Sequence, residues 1–387
     1  MPFGITFPGV KQGRLDVLDG LRGIAVLLVL WYHVWEISWL PAPWPQIEFL
    51  PETGFIGVHL FFFLSGFVIT WPFVRALIDR TEPPSWRHFY WRRAIKILPS
   101  YWLSIIIAYA IGYAQTQGHA PLADIVAHLF FVHTWWPETA GAINGVLWTL
   151  AIEVEFYLCF PLIWWGFRRQ PWLVAGVMVL IALAWRHYAT ACCYNGWYVQ
   201  VYENLPGYLD IFACGMLTAW AYARTRNATE SPRRLLAHTL LAIAGVFGLI
   251  LIMQSLFGFR LADQWAYVWQ IDKRPLMGIV FACIAFGSLG AFSWWRAIFA
   301  NRLLMWFGFI SYNLYLYHQM IARELLTWKI PPFYGDPHFD PTWKVEYTMI
   351  TIGITIAQAA LFTYLVERPL LHVRFGKSEK AASGDTT

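Results

Sequence analysis

The sequence predicts an all-α protein, a polytopic membrane bundle of about ten transmembrane helices. Of its 387 residues, 58% are apolar and only 13% are charged, whereas a soluble domain carries about 25% charged residues. Aromatic residues reach 19%, with 24 Trp, and Trp and Tyr favour membrane–water interfaces. The length of the apolar runs approaches the roughly 20 residues that a helix needs to cross a bilayer. These runs do not alternate between apolar and polar residues, as a membrane β-strand would. These observations exclude a water-soluble globule and a disordered chain.

Ten apolar segments are candidate spans, at 17–39, 54–74, 97–117, 147–167, 171–189, 205–223, 235–258, 275–292, 303–325 and 347–366. Of the 28 Lys and Arg, 20 fall on one side of the predicted spans and five on the other. Because cytoplasmic loops are enriched in basic residues, both termini are predicted to be cytoplasmic. The net charge of +5 therefore reports topology, and no nucleic-acid partner is expected.

The domain organisation predicted from this pattern is simple. We expect one transmembrane domain over residues 1–375 and a disordered cytoplasmic tail over 376–387, where the sequence becomes polar. The lipid bilayer of the inner or plasma membrane is the expected location. The sequence carries no signal for a particular oligomeric state.

Ionisable residues within spans are functional candidates, because a charge inside the bilayer is costly. Arg22 and His33 lie eleven residues apart on the first span, so they face the same side, about 16 Å apart along the axis. Glu153 and His33 each lie about six residues, roughly 9 Å, from the outer ends of their spans. If the two helices pack together, the carboxylate could orient the imidazole as a general base. An interfacial Arg and a structural His remain the alternative.

Two further histidines, His59 and His318, lie near the outer ends of the second and ninth spans. Three histidines at similar depth could suggest a metal site. No two of them share a helix at i,i+4 spacing, however, so no metal is expected.

The segment from Arg75 to Lys96 contains six basic residues and is predicted to be cytoplasmic. Arg92, Arg93 and Lys96 stand just before the third predicted span, where they could bind phosphate groups. Attraction to anionic lipid would also explain this charge.

Six stretches occur in a characteristic order: LDGLRGIAVLLVLWYHVW, GVHLFFFLSGF, FYWRRAIKILPSYW, LWTLAIEVEFYLCFPL, SYNLYLYHQ and VERPL. Together they resemble the acyltransferase-3 family of integral membrane O-acyltransferases over nearly the whole chain. Three positions depart from the family pattern: His59 stands where the family often has Asp, Lys96 replaces an Arg, and Met320 stands where a Pro often follows the late His.

The resemblance implies transfer of an acyl group, often acetyl, from cytoplasmic acyl-CoA to a hydroxyl of a carbohydrate or glycolipid acceptor. Acyl-CoA would be a donor substrate rather than a permanently bound cofactor. His33 and Glu153 are then the predicted catalytic residues, with His33 as base or acyl carrier. The remaining assignments are donor binding by Arg22, Arg92, Arg93 and Lys96, and substrate-side positions for His59, Ser65, Tyr312 and His318.

Two other functions use the same residues. A transporter or permease could use Arg22, His33 and Glu153 as a substrate or proton path, although paired broken helices and repeated halves are not evident in the sequence. A membrane-embedded hydrolase would release acyl groups to water.

Overall fold

All regular secondary structure described for this protein is helical. The computed structural model describes residues 15–114, 121–136, 138–192, 201, 203–262, 269, 271 and 273–371, and these residues contain no strand. Within these residues, one long helix overlaps each of the ten predicted spans: α1 Asp16–Ser38, α2 Ile56–Asp79, α3 Trp86–Ala110, α4 Trp148–Phe167, α5 Pro171–Cys192, α6 Leu209–Thr225, α7 Pro232–Leu261, α8 Arg274–Gly290, α9 Arg302–Thr327 and α10 Pro341–Phe362. The all-α prediction is therefore confirmed for the described residues.

Six of these segments are long and apolar enough to cross a membrane. They contain α1, α2, α4, α5, α7 and α10. The protein is thus a helical membrane protein, while the count of ten spans and the cytoplasmic position of the termini stay predictions. The predicted tail over 376–387 lies outside the described residues.

The start of α3 differs from the sequence prediction. The helix begins at Trp86, because the Ser85 side chain accepts a hydrogen bond from the backbone N–H of His88 and caps the first turn. The predicted span began eleven residues later, at the first purely apolar stretch. Arg92, Arg93 and Lys96 therefore lie within a helix, not in a loop before it.

The first helix, α1, is packed between α2 and α9. Glycines permit this close approach: a Cβ on Gly23 would lie 2.1 Å from the Leu304 carbonyl oxygen, and one on Gly308 would lie 2.2 Å from that of Asp19. Small residues at helix contacts are typical of membrane bundles, where backbones pack closely. This packing places the face that carries Arg22 and His33 against α2 and α9.

A second set of contacts extends the bundle through α6. This helix packs against α2, α5 and α8, and α8 packs against α7. At the α2–α6 contact, a Cβ on Gly215 would lie 2.1 Å from the carbonyl oxygen of Phe63. No side chain fits at this position without separating the two helices.

Two irregular turns adjoin the centre of the bundle. A 3-10 turn, Gly145–Leu147, precedes α4, and the neighbouring Asn144 donates its side-chain amide to the carbonyl of Leu316 on α9 at 2.8 Å. A π-helical turn, Thr363–Glu367, follows α10. Such turns inside helical segments are frequent at functional sites.

We expect Gly215→Ala to destabilise the bundle, because overpacking a tight contact typically costs about 1–3 kcal/mol. The measurement is thermal unfolding of the purified protein in detergent, followed by tryptophan fluorescence. Gly353→Ala is the matched control, since a Cβ there meets nothing within 4 Å and Ala favours a helix by up to about 1 kcal/mol. Equal melting temperatures for the two variants would contradict the assigned α2–α6 contact.

Candidate active site

A cavity of about 570 Å³ opens among α1, α2, α3, α4, α9 and the turn after α10. We call it the basic cavity, because its charged lining consists of five cations and three carboxylates: Arg22, Arg92, Arg93, Lys96, Arg368, Asp19, Glu153 and Glu367. Its volume is in the range of ligand pockets. The structure therefore brings together the four basic residues that the sequence predicted for the donor.

These cations differ in what they already contact. Among the described residues, Arg22 and Arg92 form no hydrogen bond or ion pair, whereas Lys96 pairs with Glu367. The Arg93 guanidinium lies 5.7 Å from the ring centre of Tyr157. Arg22 and Arg92 are thus the groups with the most capacity for an anionic ligand.

Glu367 was not predicted as a partner of Lys96. Its carboxylate is almost fully buried, and it accepts a second hydrogen bond from the Asn313 side chain at 3.0 Å. Tyr312 lies beside this pair: the Lys96 ammonium is 5.5 Å from its ring centre, and its hydroxyl donates to the Ile97 carbonyl at 2.7 Å. The pair fastens the end of α10 to α3.

Glu153 also belongs to the basic cavity. Its carboxylate accepts hydrogen bonds from the Ser65 hydroxyl at 2.7 Å and the Tyr157 hydroxyl at 2.9 Å. Ser65, predicted on the substrate side, therefore lies in the same cavity as the predicted donor-binding residues.

A second, smaller cavity of about 160 Å³ adjoins the first. We call it the histidine cavity, because His33 and His59 line it together with Glu203 and several aromatic rings. Val58 and Tyr315 line both cavities. These two side chains therefore form the partition between them.

The predicted contact between His33 and Glu153 is wrong in this structure. Glu153 bonds only to Ser65 and Tyr157 among the described residues, and His33 lines the other cavity. The reason is depth: Trp148, the first residue of α4, already lies beside His33 in the histidine cavity. Glu153 is five residues further on, which places it about 7.5 Å along the helix.

His318 on α9 is the side chain that contacts His33. Its Nε2 lies 2.9 Å from His33 Nδ1, and its Nδ1 lies 2.7 Å from the carbonyl oxygen of Tyr315. A carbonyl oxygen only accepts, so His318 Nδ1 carries the proton, and in a neutral ring Nε2 must then accept. His33 Nδ1 is therefore the donor, to His318 and to the Val29 carbonyl at 3.0 Å.

This assignment leaves a lone pair on His33 Nε2. That atom has no hydrogen-bond partner among the described residues, and its ring lines the histidine cavity. A proton taken up at Nε2 would leave Nδ1–H donating to His318 and Val29. This is the arrangement of an oriented general base.

Glu203, Tyr208 and Tyr315 of the histidine cavity were not predicted from sequence. Glu203 lies between α5 and α6, outside the predicted spans, so it was not among the charged residues considered as candidates. Tyr315 sits three residues before His318 in SYNLYLYHQ, and that spacing on one helix could have indicated it. Within the described ranges, no three His, Cys, Asp or Glu side chains are grouped to hold a metal ion.

Comparison with known proteins assigns the enzyme class. The family described as "Acyltransferase domain" matches residues 15–367. The chain belongs to this family, so the acyltransferase class expected from the sequence is confirmed for this domain.

Bacterial relatives support the same class. The chain is 26% identical over 330 residues to the peptidoglycan O-acetyltransferase OatA of Listeria monocytogenes, covering 79% of this chain and 49% of that relative. It is 25% identical over 373 residues to "Putative peptidoglycan O-acetyltransferase YrhL" of Bacillus subtilis, covering 91% and 54%. A "Putative O-acetyltransferase" of Staphylococcus aureus strain COL is 26% identical over 380 residues, covering 93% and 58%. The chain thus spans about half the length of these curated relatives. No solved structure matches this chain significantly.

Removing the Glu367 carboxylate should destabilise the protein through Lys96. In Glu367→Gln the buried end of the pair is neutral and the Lys96 ammonium loses its counter-charge, which is more harmful than removing both charges. We expect Glu367→Gln to lower the melting temperature in detergent and Lys96→Met in the same chain to restore part of it. Purely additive losses in the double variant would contradict an energetic coupling of the pair.

Proposed function

We propose that this chain is a membrane O-acyltransferase that moves an acyl group from acyl-CoA to a hydroxyl of a carbohydrate-type acceptor. Acetyl is the acyl group that we propose. The observation that carries the proposal is the adjacency of the two cavities. One contains an excess of cations, the other contains His33 Nε2 without a partner, and Val58 and Tyr315 lie between them.

The basic cavity suits the donor. CoA carries phosphate groups, and guanidinium groups bind phosphate through charge-assisted, often bidentate hydrogen bonds. Arg22 and Arg92 bind these phosphates, with Arg93, Lys96 and Arg368 adding positive charge. The thioester arm of the donor then extends past Tyr315 toward His33.

Transfer is a direct exchange of bonds at the thioester. His33 Nε2 accepts the proton of the acceptor hydroxyl as the oxygen attacks the thioester carbonyl. The C–O bond forms, the C–S bond breaks, and the thiolate of CoA leaves with the proton from the His33 imidazolium. His318 stabilises that imidazolium by accepting from Nδ1, the part first expected of Glu153.

Glu153 has a different part in this proposal. With hydrogen bonds from Ser65 and Tyr157, its carboxylate is a fixed counter-charge within the basic cavity. It positions Tyr157, whose ring lies against Arg93. Glu153 is therefore a positioning residue on the donor side.

His33→Ala should abolish acetyl transfer, because the base that accepts the hydroxyl proton is removed. The measurement uses protein purified into lipid nanodiscs, radiolabelled acetyl-CoA and a peptidoglycan-derived disaccharide, with product identified by mass spectrometry. His187→Ala, at an exposed position of α5, is the matched control and should retain activity. Release of free acetate alone would indicate a hydrolase, and unchanged transfer by His33→Ala would overturn the proposal.

Arg22→Ala should weaken CoA binding by about tenfold or more, since hydrogen bonds to charged groups are worth about 1.5–3 kcal/mol. Binding is measured by titration of CoA with tryptophan fluorescence as the signal. If Arg22 binds the ribose phosphate, the loss of affinity caused by Arg22→Ala should be smaller for dephospho-CoA than for CoA. Arg168→Ala, an equal charge change at an exposed position outside the cavity, is the control. Equal affinities for both variants would remove Arg22 from the donor site.

A further inference from the structure

The histidine cavity contains polar groups that the described part of the chain leaves without a well-formed hydrogen bond. His59 is only 2% exposed, and neither of its ring nitrogens forms a hydrogen bond of good geometry with a described residue, although the ring lies close to the backbone of Phe55. The Glu203 carboxylate lines the same cavity without a hydrogen bond to any described residue. A buried ring without a well-formed hydrogen bond is costly to desolvate, so His59 indicates a polar ligand in this cavity, where the partly buried Glu203 carboxylate is also open to it.

The charge of the lining narrows the chemistry of that ligand. No Lys or Arg lines the histidine cavity within the described residues, and it contains a carboxylate. Arg274 lies behind the Tyr208 wall, donates to the Tyr208 hydroxyl at 3.2 Å and already balances the charge of Glu203. An anionic group such as a CoA phosphate would therefore meet the Glu203 carboxylate without direct contact to a cation of the lining. A neutral ligand that carries hydroxyl or amide groups would satisfy His59, Glu203 and His33 Nε2 together.

The size of the cavity and the residues of its walls limit the kind of ligand further. A cavity of about 150 Å³ holds one benzene-sized ring, and the histidine cavity measures about 160 Å³. Aromatic side chains form its walls: the rings of Trp148 and Tyr208 lie 5.7 Å apart, and those of His59 and Tyr208 lie 5.6 Å apart. One ring with apolar C–H faces and polar edges, such as a pyranose, fits this lining.

The segment that carries Glu203 is held firmly. The carbonyl of Gly207 accepts hydrogen bonds from two buried arginines, Arg186 at 2.7 Å and Arg274 at 3.1 Å. Arg186 also pairs with Asp210 at 2.8 Å. These contacts anchor the turn that follows Glu203 against α5 and α8, so the carboxylate has a defined position relative to His59.

The protonation of Glu203 is compatible with a hydroxyl ligand. Burial raises the pKa of the Glu203 carboxyl to about 7, while the positive charge of Arg274 opposes that rise. Near neutral pH both forms are populated. The ionised form accepts from a hydroxyl, and the protonated form donates to one.

We propose that the histidine cavity is the acceptor subsite, and that Glu203 and His59 are its specificity residues. One pyranose ring occupies the cavity, presents the reacting hydroxyl to His33 Nε2 and is held through a second polar group by Glu203 and His59. This inference rests on the proposed function and adds the residues that choose the acceptor.

The test measures acceptor and donor interactions separately in nanodiscs. The probe acceptor is the neutral disaccharide N,N′-diacetylchitobiose, and the donor is acetyl-CoA. Glu203→Gln and His59→Gln should each raise the KM for the disaccharide about tenfold or more, whereas the Kd for CoA stays within twofold of the wild-type value. Glu346→Gln, an exposed carboxylate on α10 outside the cavity, should leave both values unchanged.

A set of probes lacking single hydroxyls tests the contact directly. One monodeoxy analogue of the disaccharide should bind wild-type protein about tenfold more weakly but lose nothing further in Glu203→Gln, because the hydroxyl and the carboxylate are partners. If His59→Gln fails to bind CoA, and so to fold, Glu203→Gln decides alone.

The outcomes separate the two proposals. Transfer that depends on His33 with an unchanged disaccharide KM in Glu203→Gln would overturn the acceptor subsite and leave the proposed function standing. A parallel loss of CoA affinity in Glu203→Gln would show a structural role for the carboxylate and would also overturn the subsite. Absence of transfer by the wild-type protein to any hydroxyl acceptor would overturn the proposed function itself.

Discussion

The hydrogen-bonded series from the Tyr315 carbonyl through His318 to His33 constrains the rest of the site. It runs along α9 and crosses to α1, so it exists only while those two helices remain in close contact. The glycines at that contact, Gly23 and Gly308, make the approach possible. Tyr315 has two roles in this arrangement. Its carbonyl oxygen fixes the tautomer of His318, and its side chain separates the two cavities.

The fold could be predicted from sequence to the level of helix positions. Each of the ten apolar segments overlaps a helix in the described part of the chain, because a long apolar segment must satisfy its backbone groups internally. Six of these helices have the length and apolarity to cross a bilayer. The start of α3 was missed because hydropathy responds to the lipid-facing part of a helix. It does not detect a capped, basic first half that faces a cavity, and the Ser85 cap was the local signal that could have extended the helix.

Several residues of the candidate site could be named from the sequence, but the contacts between them could be predicted only in part. Spacing placed Arg22 and His33 on one face of the first helix, and residue types identified Arg92, Arg93 and Lys96 as candidate phosphate ligands. The partner of His33 could not be found in the same way, because depth was counted from predicted span ends. The entry into α4 lies at the level of the histidine cavity, so equal counts from two ends gave unequal depths for His33 and Glu153.

Position 59 shows how the same cavity chemistry can come from different parts of a chain. In the resembling family an Asp is frequent there, and a comparison along the sequence would record the loss of a carboxylate from α2. The structure contains a carboxylate in that cavity nevertheless, supplied by Glu203 from the connection between α5 and α6. His59 and Glu203 line one small space, so the imidazole adds a hydrogen-bonding group without removing the acidic one. If acceptor choice resides in this cavity, it depends on the pair, and neither position alone reveals it.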